Sequence, residues 1–220
     1  MTPRIIFEQE LESLKCAVTE MSERAEIGYN KLILAAAANN REVLTKLLDV
    51  DRGIVNMQRN IEAKCLYLLT RQQPIAGDLR MVSASLKVVT DIERIGDHVT
   101  DMAELFLRMN PPYNETDGLL LKEMMDAAKD MVQDAVNVFV DRDIKKAEAV
   151  IQKDDVVDDY FNRIKAMLVD VTQNNAFDLD GIVDFLLLAK YVEKIADHAV
   201  NICEWAIFQE TGNMQENRLL

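Results

Sequence analysis

Residues 91–106 return one hundred positions later as residues 191–206, so the chain must fold into something that tolerates two copies of one unit. Glu93-Arg94-Ile95-Gly96-Asp97-His98 is echoed by Glu193-Lys194-Ile195-Ala196-Asp197-His198, and Glu104 by Glu204. A repeat kept only for packing would preserve apolar positions and let polar ones drift. Here most matched positions are polar, and carboxylates dominate them. The chemistry is therefore expected on that acidic stripe.

The rest of the chain reads as helix. Seven Gly and four Pro in 220 residues leave little punctuation for strands, and long stretches of Ala, Leu, Glu, Lys and Met intervene. Thr2-Pro3 suits a helix start, with apolar residues at helical spacing from Leu11 to Ala36. A break at Asn39-Asn40 precedes a second helix from about Arg41 to Gln72, ended by Pro74 because the residue before proline is pushed out of helical geometry. Gly77-Asp78 opens a third, from about Leu79 to Arg108. Asn110-Pro111-Pro112-Tyr113-Asn114 reads as a stiff linker. Helices four to six follow at about Asp117–Val140, Asp143–Thr172 and Leu179–Glu210, with Asp141-Arg142-Asp143 replacing the earlier Asn pair. The expected fold is all-α: two tandem three-helix bundles, 1–109 and 117–213, joined by 110–116.

A net charge of −13 argues against nucleic acid as a partner and suits cations, or a basic patch on another protein. No apolar run approaches the roughly 18–20 residues that span a bilayer, so any membrane contact is peripheral at most. The N-terminus lacks the apolar stretch of a signal peptide, and Cys16, Cys65 and Cys203 read as reduced core thiols. A cytoplasmic protein is expected.

At about 100° per residue, Glu93, Asp97, Asp101 and Glu104 share one helix face within an arc of roughly 80°. Glu193, Asp197 and Glu204 repeat the face, with Asn201 in place of Asp101. Like charges four apart cost about 0.2–0.5 kcal/mol each, so the stacks call for compensation. Two readings compete. In the first, Arg94, Lys190 and Lys194, each three residues before a stripe acid, neutralise it. In the second, the carboxylates hold hard cations with help from a neighbouring helix, where Asp154 and Asp158 repeat the spacing of four. Asp51 aligns with Asp154, but Val55 stands opposite Asp158. His98 and His198 point about 100° away from the stripe and read as inter-helix hydrogen-bonding or partly exposed residues, unlike the Glu-x-x-His of di-iron bundles. Gly53, in mid-helix, reads as a close approach or a bend. No nucleophile elbow or phosphate loop is present.

Arg71-Gln72-Gln73-Pro74, Gly77-Asp78-Leu79-Arg80 and Asp91-Ile92-Glu93-Arg94-Ile95-Gly96-Asp97 resemble the PhoU family of phosphate transport regulators. Tyr191 to His198 and Asn201 to Trp205 resemble the family's second copy. The resemblance implies tandem three-helix bundles and multinuclear clusters of iron, zinc, manganese or magnesium on acidic motifs. By position, those motifs fall on Asp51, Glu93, Asp97 and Asp101, then on Asp154, Asp158, Glu193 and Asp197. It also implies negative control of phosphate uptake and of the phosphate-starvation response, through the ATPase subunit of a phosphate ABC transporter and a sensor histidine kinase. A homodimer without catalytic turnover is expected. A metal-dependent hydrolase or oxidase, and a purely structural scaffold, are the alternatives.

Overall fold

A computed structural model of the chain describes residues 3–71, 76–109, 115–173 and 179–213. All of its regular structure is helical: α1 (Pro3–Ala37), α2 (Arg41–Leu47), α3 (Val50–Arg71), α4 (Ala76–Arg108), α5 (Glu115–Asp141), α6 (Ile144–Gln173) and α7 (Leu179–Thr211). The all-α fold and its six long helices match the expectation. The first two turns of the second helix, however, are set off as α2 by a turn at residues 48–49. Leu48 N–H donates to the Thr45 carbonyl three residues back (3.3 Å), closing α2 early. The offset lets Leu44 and Leu47 before the turn, and Ile54 after it, all reach the core. The Thr2 cap, the helix end at Pro74 and the linker at 110–114 lie outside the described residues.

The two hairpin turns are built alike. Asn39 and Arg142 take left-handed backbone (φ 47° and 60°). The next residue then caps the following helix: Asn40 Oδ1 accepts from Val43 N and Asp143 Oδ1 from Lys146 N, each at 3.1 Å. Both turns appear in the sequence as short polar breaks, and this chemistry explains why.

α4 and α7 form the centre, and their mutual contact is the most extensive in the molecule. α1 and α3 pack on α4, α5 and α6 pack on α7, and α1 also reaches α5. There Tyr29 Oη, fully buried, donates to the Met125 carbonyl (3.1 Å). Each central helix must bury more than one face. On α7 the buried set runs from Asp184 through Ile195 and Ala196 to Gln209, with little polar interruption. α4 and α7 run antiparallel, since Arg80 near the start of α4 donates from Nε to the Gln209 carbonyl (3.0 Å) near the end of α7. At the other end Arg108 Nε donates to Asp184 Oδ2 (2.8 Å).

α3 comes very close to α4 at Gly96. A methyl group there would lie 2.7 Å from Cδ1 of Ile54, which is fully buried. The second copy exchanges volume at the equivalent places, with Val157 on α6 and Ala196 on α7, both fully buried. Gly96→Ala is therefore expected to lower stability by about 1–3 kcal/mol, and adding Ile54→Val to restore most of it. Denaturant melts of the single and double variants measure the coupling, and strictly additive losses would refute the packing account.

Of the three thiols, Cys65 and Cys203 are buried but Cys16 is exposed, which corrects the expectation that all three are core residues. Cys16 falls between the buried positions Leu14 and Val18 of α1, off its inward face.

Candidate cation-binding stripes and the seam between α4 and α7

Glu93 and Asp97 lie one turn apart on α4, with side chains 14% and 26% exposed. Arg94 serves both: Nη1 is 2.9 Å from Asp97 Oδ2, and Nε is 3.6 Å from Glu93 Oε2. On α7, Lys194 Nζ sits 2.5 Å from Asp197 and 3.5 Å from Glu193, while Lys190 Nζ lies 2.5 Å from Glu193. These are the cations that the sequence offered as neutralising partners, in both copies. Contact with the Asp197 carboxylate raises the Lys194 ammonium above its ordinary pKa.

The remaining expected ligands are dispersed. Asp101 turns toward His98, whose Nδ1 is 3.7 Å from Asp101 Oδ2, too far for a hydrogen bond. Partial burial raises the Asp101 pKa against the pull of His98. Asp154 on α6 is buried at 2% exposure, whereas Asp158 is exposed. Asp51 lies on the helical backbone of α3, with its side chain outside the described residues. No three His, Cys, Asp or Glu side chains among the described residues converge in a group able to hold a metal ion. The donors thus fit hard cations in kind, and a metal would have to displace Arg94 and Lys194 to use them.

The histidines sit on the neighbouring face, where α4 and α7 cross. Their rings are 5.6 Å apart, centroid to centroid. His198 Nδ1 is 2.8 Å from Asp91 Oδ1, and Asn201 Nδ2 donates to the same oxygen at 3.1 Å. Reversing the two copies, His98 meets Tyr191, with rings 5.3 Å apart, and Asp101. The inter-helix reading of His198 holds. Burial, followed by the proximity of His198, lowers the pKa of His98. Asp91 was not singled out from the sequence, although its position seven residues before His98 placed both on one helix face. Asn201, which breaks the acidic stripe, has its reason here: an aspartate would set a second carboxylate against Asp91.

The repeat in the sequence and in the fold also appears in comparison with known proteins. The PhoU domain family matches twice, over residues 18–106 and 121–206. The chain belongs to the PhoU family. A PhoU homolog of Clostridium acetobutylicum, named a phosphate-specific transport system accessory protein, is 33% identical over 95% of this chain and 96% of its own length. A Thermotoga maritima homolog with the same designation is 32% identical, over 98% of this chain and 94% of its own. The crystal structure of the phosphate transport system regulatory protein PhoU from Streptococcus pneumoniae superposes with a TM-score of 0.89 at 26% identity, covering 96% of this chain and 99% of that one. PhoU from Pseudomonas aeruginosa gives 0.87 at 27% identity, covering 94% and 100%. Among the described residues, no helix is long and apolar enough to cross a membrane.

Proposed function

We propose that this PhoU chain is an accessory regulator of a phosphate-specific transport system, which restrains uptake and phosphate-starvation signalling when phosphate is plentiful. The observation that carries this reading is the double family match, together with relatives over nearly the whole chain that bear that accessory role in their names. The chain acts by binding rather than turnover, in the cytoplasm and as a homodimer, against the transporter's ATPase subunit and a sensor histidine kinase.

The acidic stripes are the working faces. Arg94, Lys194 and Lys190 are 55%, 42% and 43% exposed, so Arg94 can swing into solvent and release the α4 pair, and Lys190 and Lys194 together can release the α7 pair. Glu93 with Asp97, and Glu193 with Asp197, would then hold a divalent or trivalent ion, with Asp101, Asp51, Asp154 and Asp158 drawn in from the same and adjacent helices. A bound cation would cancel much of the local negative charge, so that an acidic or anionic partner meets less repulsion there on a chain whose net charge is −13.

In cells deleted for this chain and grown in ample phosphate, a phosphate-starvation reporter is expected to switch on. The wild-type gene should silence it, while Glu93→Gln/Asp97→Asn/Glu193→Gln/Asp197→Asn at equal abundance should not. A reporter that stays silent in the deletion strain overturns the regulatory role. A quadruple variant that silences it fully overturns the role of the stripes. Metal analysis of protein purified without chelator tests occupancy separately, since bound ion should raise the melting temperature with manganese or magnesium.

A further inference from the structure

The first half of α7 carries an apolar face left open among the described residues. Leu179, Val183 and Leu187 are 69%, 54% and 38% exposed, and Val169 on the adjoining α6 is 50% exposed. At about 100° per residue these three α7 positions span an arc of roughly 80°. Asp180 and Lys190 fall at the two ends of the same stripe, within an arc of about 100° in all. Asp180 is exposed and Lys190 is 43% exposed. From Asp180 to Lys190 the face therefore reads acid, apolar, apolar, base, with Leu179 just ahead of it.

That order is complementary to itself when reversed. Laid antiparallel against a second copy about a two-fold axis near residue 185, Val183 meets the partner's Leu187 and Asp180 meets the partner's Lys190. The symmetry then repeats both contacts. The equivalent face of α4 has Leu79, Arg80, Ser83, Lys87 and Thr90, which offers neither the apolar centre nor opposite charges at its ends. The two copies have thus diverged at four of these five positions.

We infer that the α7 face formed by Leu179, Asp180, Val183, Leu187 and Lys190 is the surface on which two copies of this chain pair. The inference supplies an interface for the homodimer and does not depend on which transport partner the protein regulates. Lys190 also contacts Glu193 at 2.5 Å and lies 5.3 Å from the Phe161 ring, so pairing with the partner's Asp180 shares or replaces its contact with Glu193. One helix face with a few flanking side chains is smaller than the roughly 800 Å² per partner of a standard stable interface. The dimer is accordingly expected to dissociate on dilution.

Sedimentation velocity on the full chain across a dilution series tests this. Wild type should shift from dimer to monomer on dilution, and Leu187→Glu should raise the dissociation constant by at least about a hundredfold by burying a charge at the centre. Should Leu187→Glu perturb folding, the exposed ends decide. Asp180→Lys and Lys190→Asp should each weaken self-association about tenfold through like-charge pairs, and an equimolar mixture of the two should pair more tightly than either alone. A wild type that is monomeric throughout overturns the interface, as does a dimer that none of the three substitutions moves. Neither result touches the reporter phenotype.

Discussion

Between pH 9 and 12 the folded protein is expected to lose on the order of 3–4 kcal/mol of stability for each of its two buried thiols. Burial pushes Cys65 up from 9 to about 12, with Glu62 adding to the effect and Lys64 opposing it. Cys203 rises likewise to about 12, through burial first and then Asp134 and Glu204. Both pKa values are raised in the fold, so the contribution is complete below pH 9. Above it, an unfolded chain releases thiol protons that the folded chain must keep, and stability falls as pH rises toward 12. Tyr29 acts in the same direction above pH 10, because complete burial raises its phenol. Denaturant titrations at pH steps across this window read the slope. Cys65→Ala/Cys203→Ala should be weaker at neutral pH, from the cavities left, yet visibly flatter above pH 9. Identical slopes for wild type and double variant would sink the account. Exposed Cys16 should react with a thiol reagent in the native state while the other two stay protected.

Asn201→Asp is expected to cost about 2–3 kcal/mol at neutral pH, a large effect for so small a change. The Asn201 amide donates to an Asp91 oxygen at 3.1 Å, and the Asp91 side chain is only 13% exposed. Substitution removes the donor and sets two carboxylates against each other in a seam that excludes most water. Asp91→Asn in the same chain should recover much of the loss, since the new amide can donate to the carboxylate introduced at position 201 and its carbonyl can still accept from His198. Thermal melts of the four proteins close a double-mutant cycle, with an expected coupling above about 1 kcal/mol. If Asn201→Asp melts within a degree of wild type, Asp91 is not the constraint on this position.

Most of the helical layout was legible because long helices announce themselves by apolar period, and because the duplication showed every element twice. The split at residues 48–49 was not legible. Gly53, the weakest helix former between Arg41 and Gln72, lies past the split rather than at it, and Leu47 and Ile54 on either side of the turn are both buried. The carboxylate stripes were legible as faces but not as arrangements: spacing fixes which way a side chain points, not whether Arg94 or a metal meets it. The seam was the least visible part. Asp91 has no acidic counterpart at Tyr191, so a search for repeated acids passes over it. Its partners lie more than a hundred residues away, on a helix that only folding brings near. The signal that could have found it was the pair of departures from the repeat, at 91/191 and 101/201, which are matched across the crossing.

Those paired departures bear on why the two copies share one polypeptide. Were two identical single-repeat chains to meet through this crossing, the aspartate at position 91 of each would face the aspartate at position 101 of the other. Symmetry would oblige both halves to accept the same mismatch. Covalent fusion removes that obligation, so one half can supply the acid while the other supplies the amide, and the tyrosine can occupy the opposite corner. The linked chain can thereby hold a lopsided seam that a symmetric pair of identical half-length chains could not build.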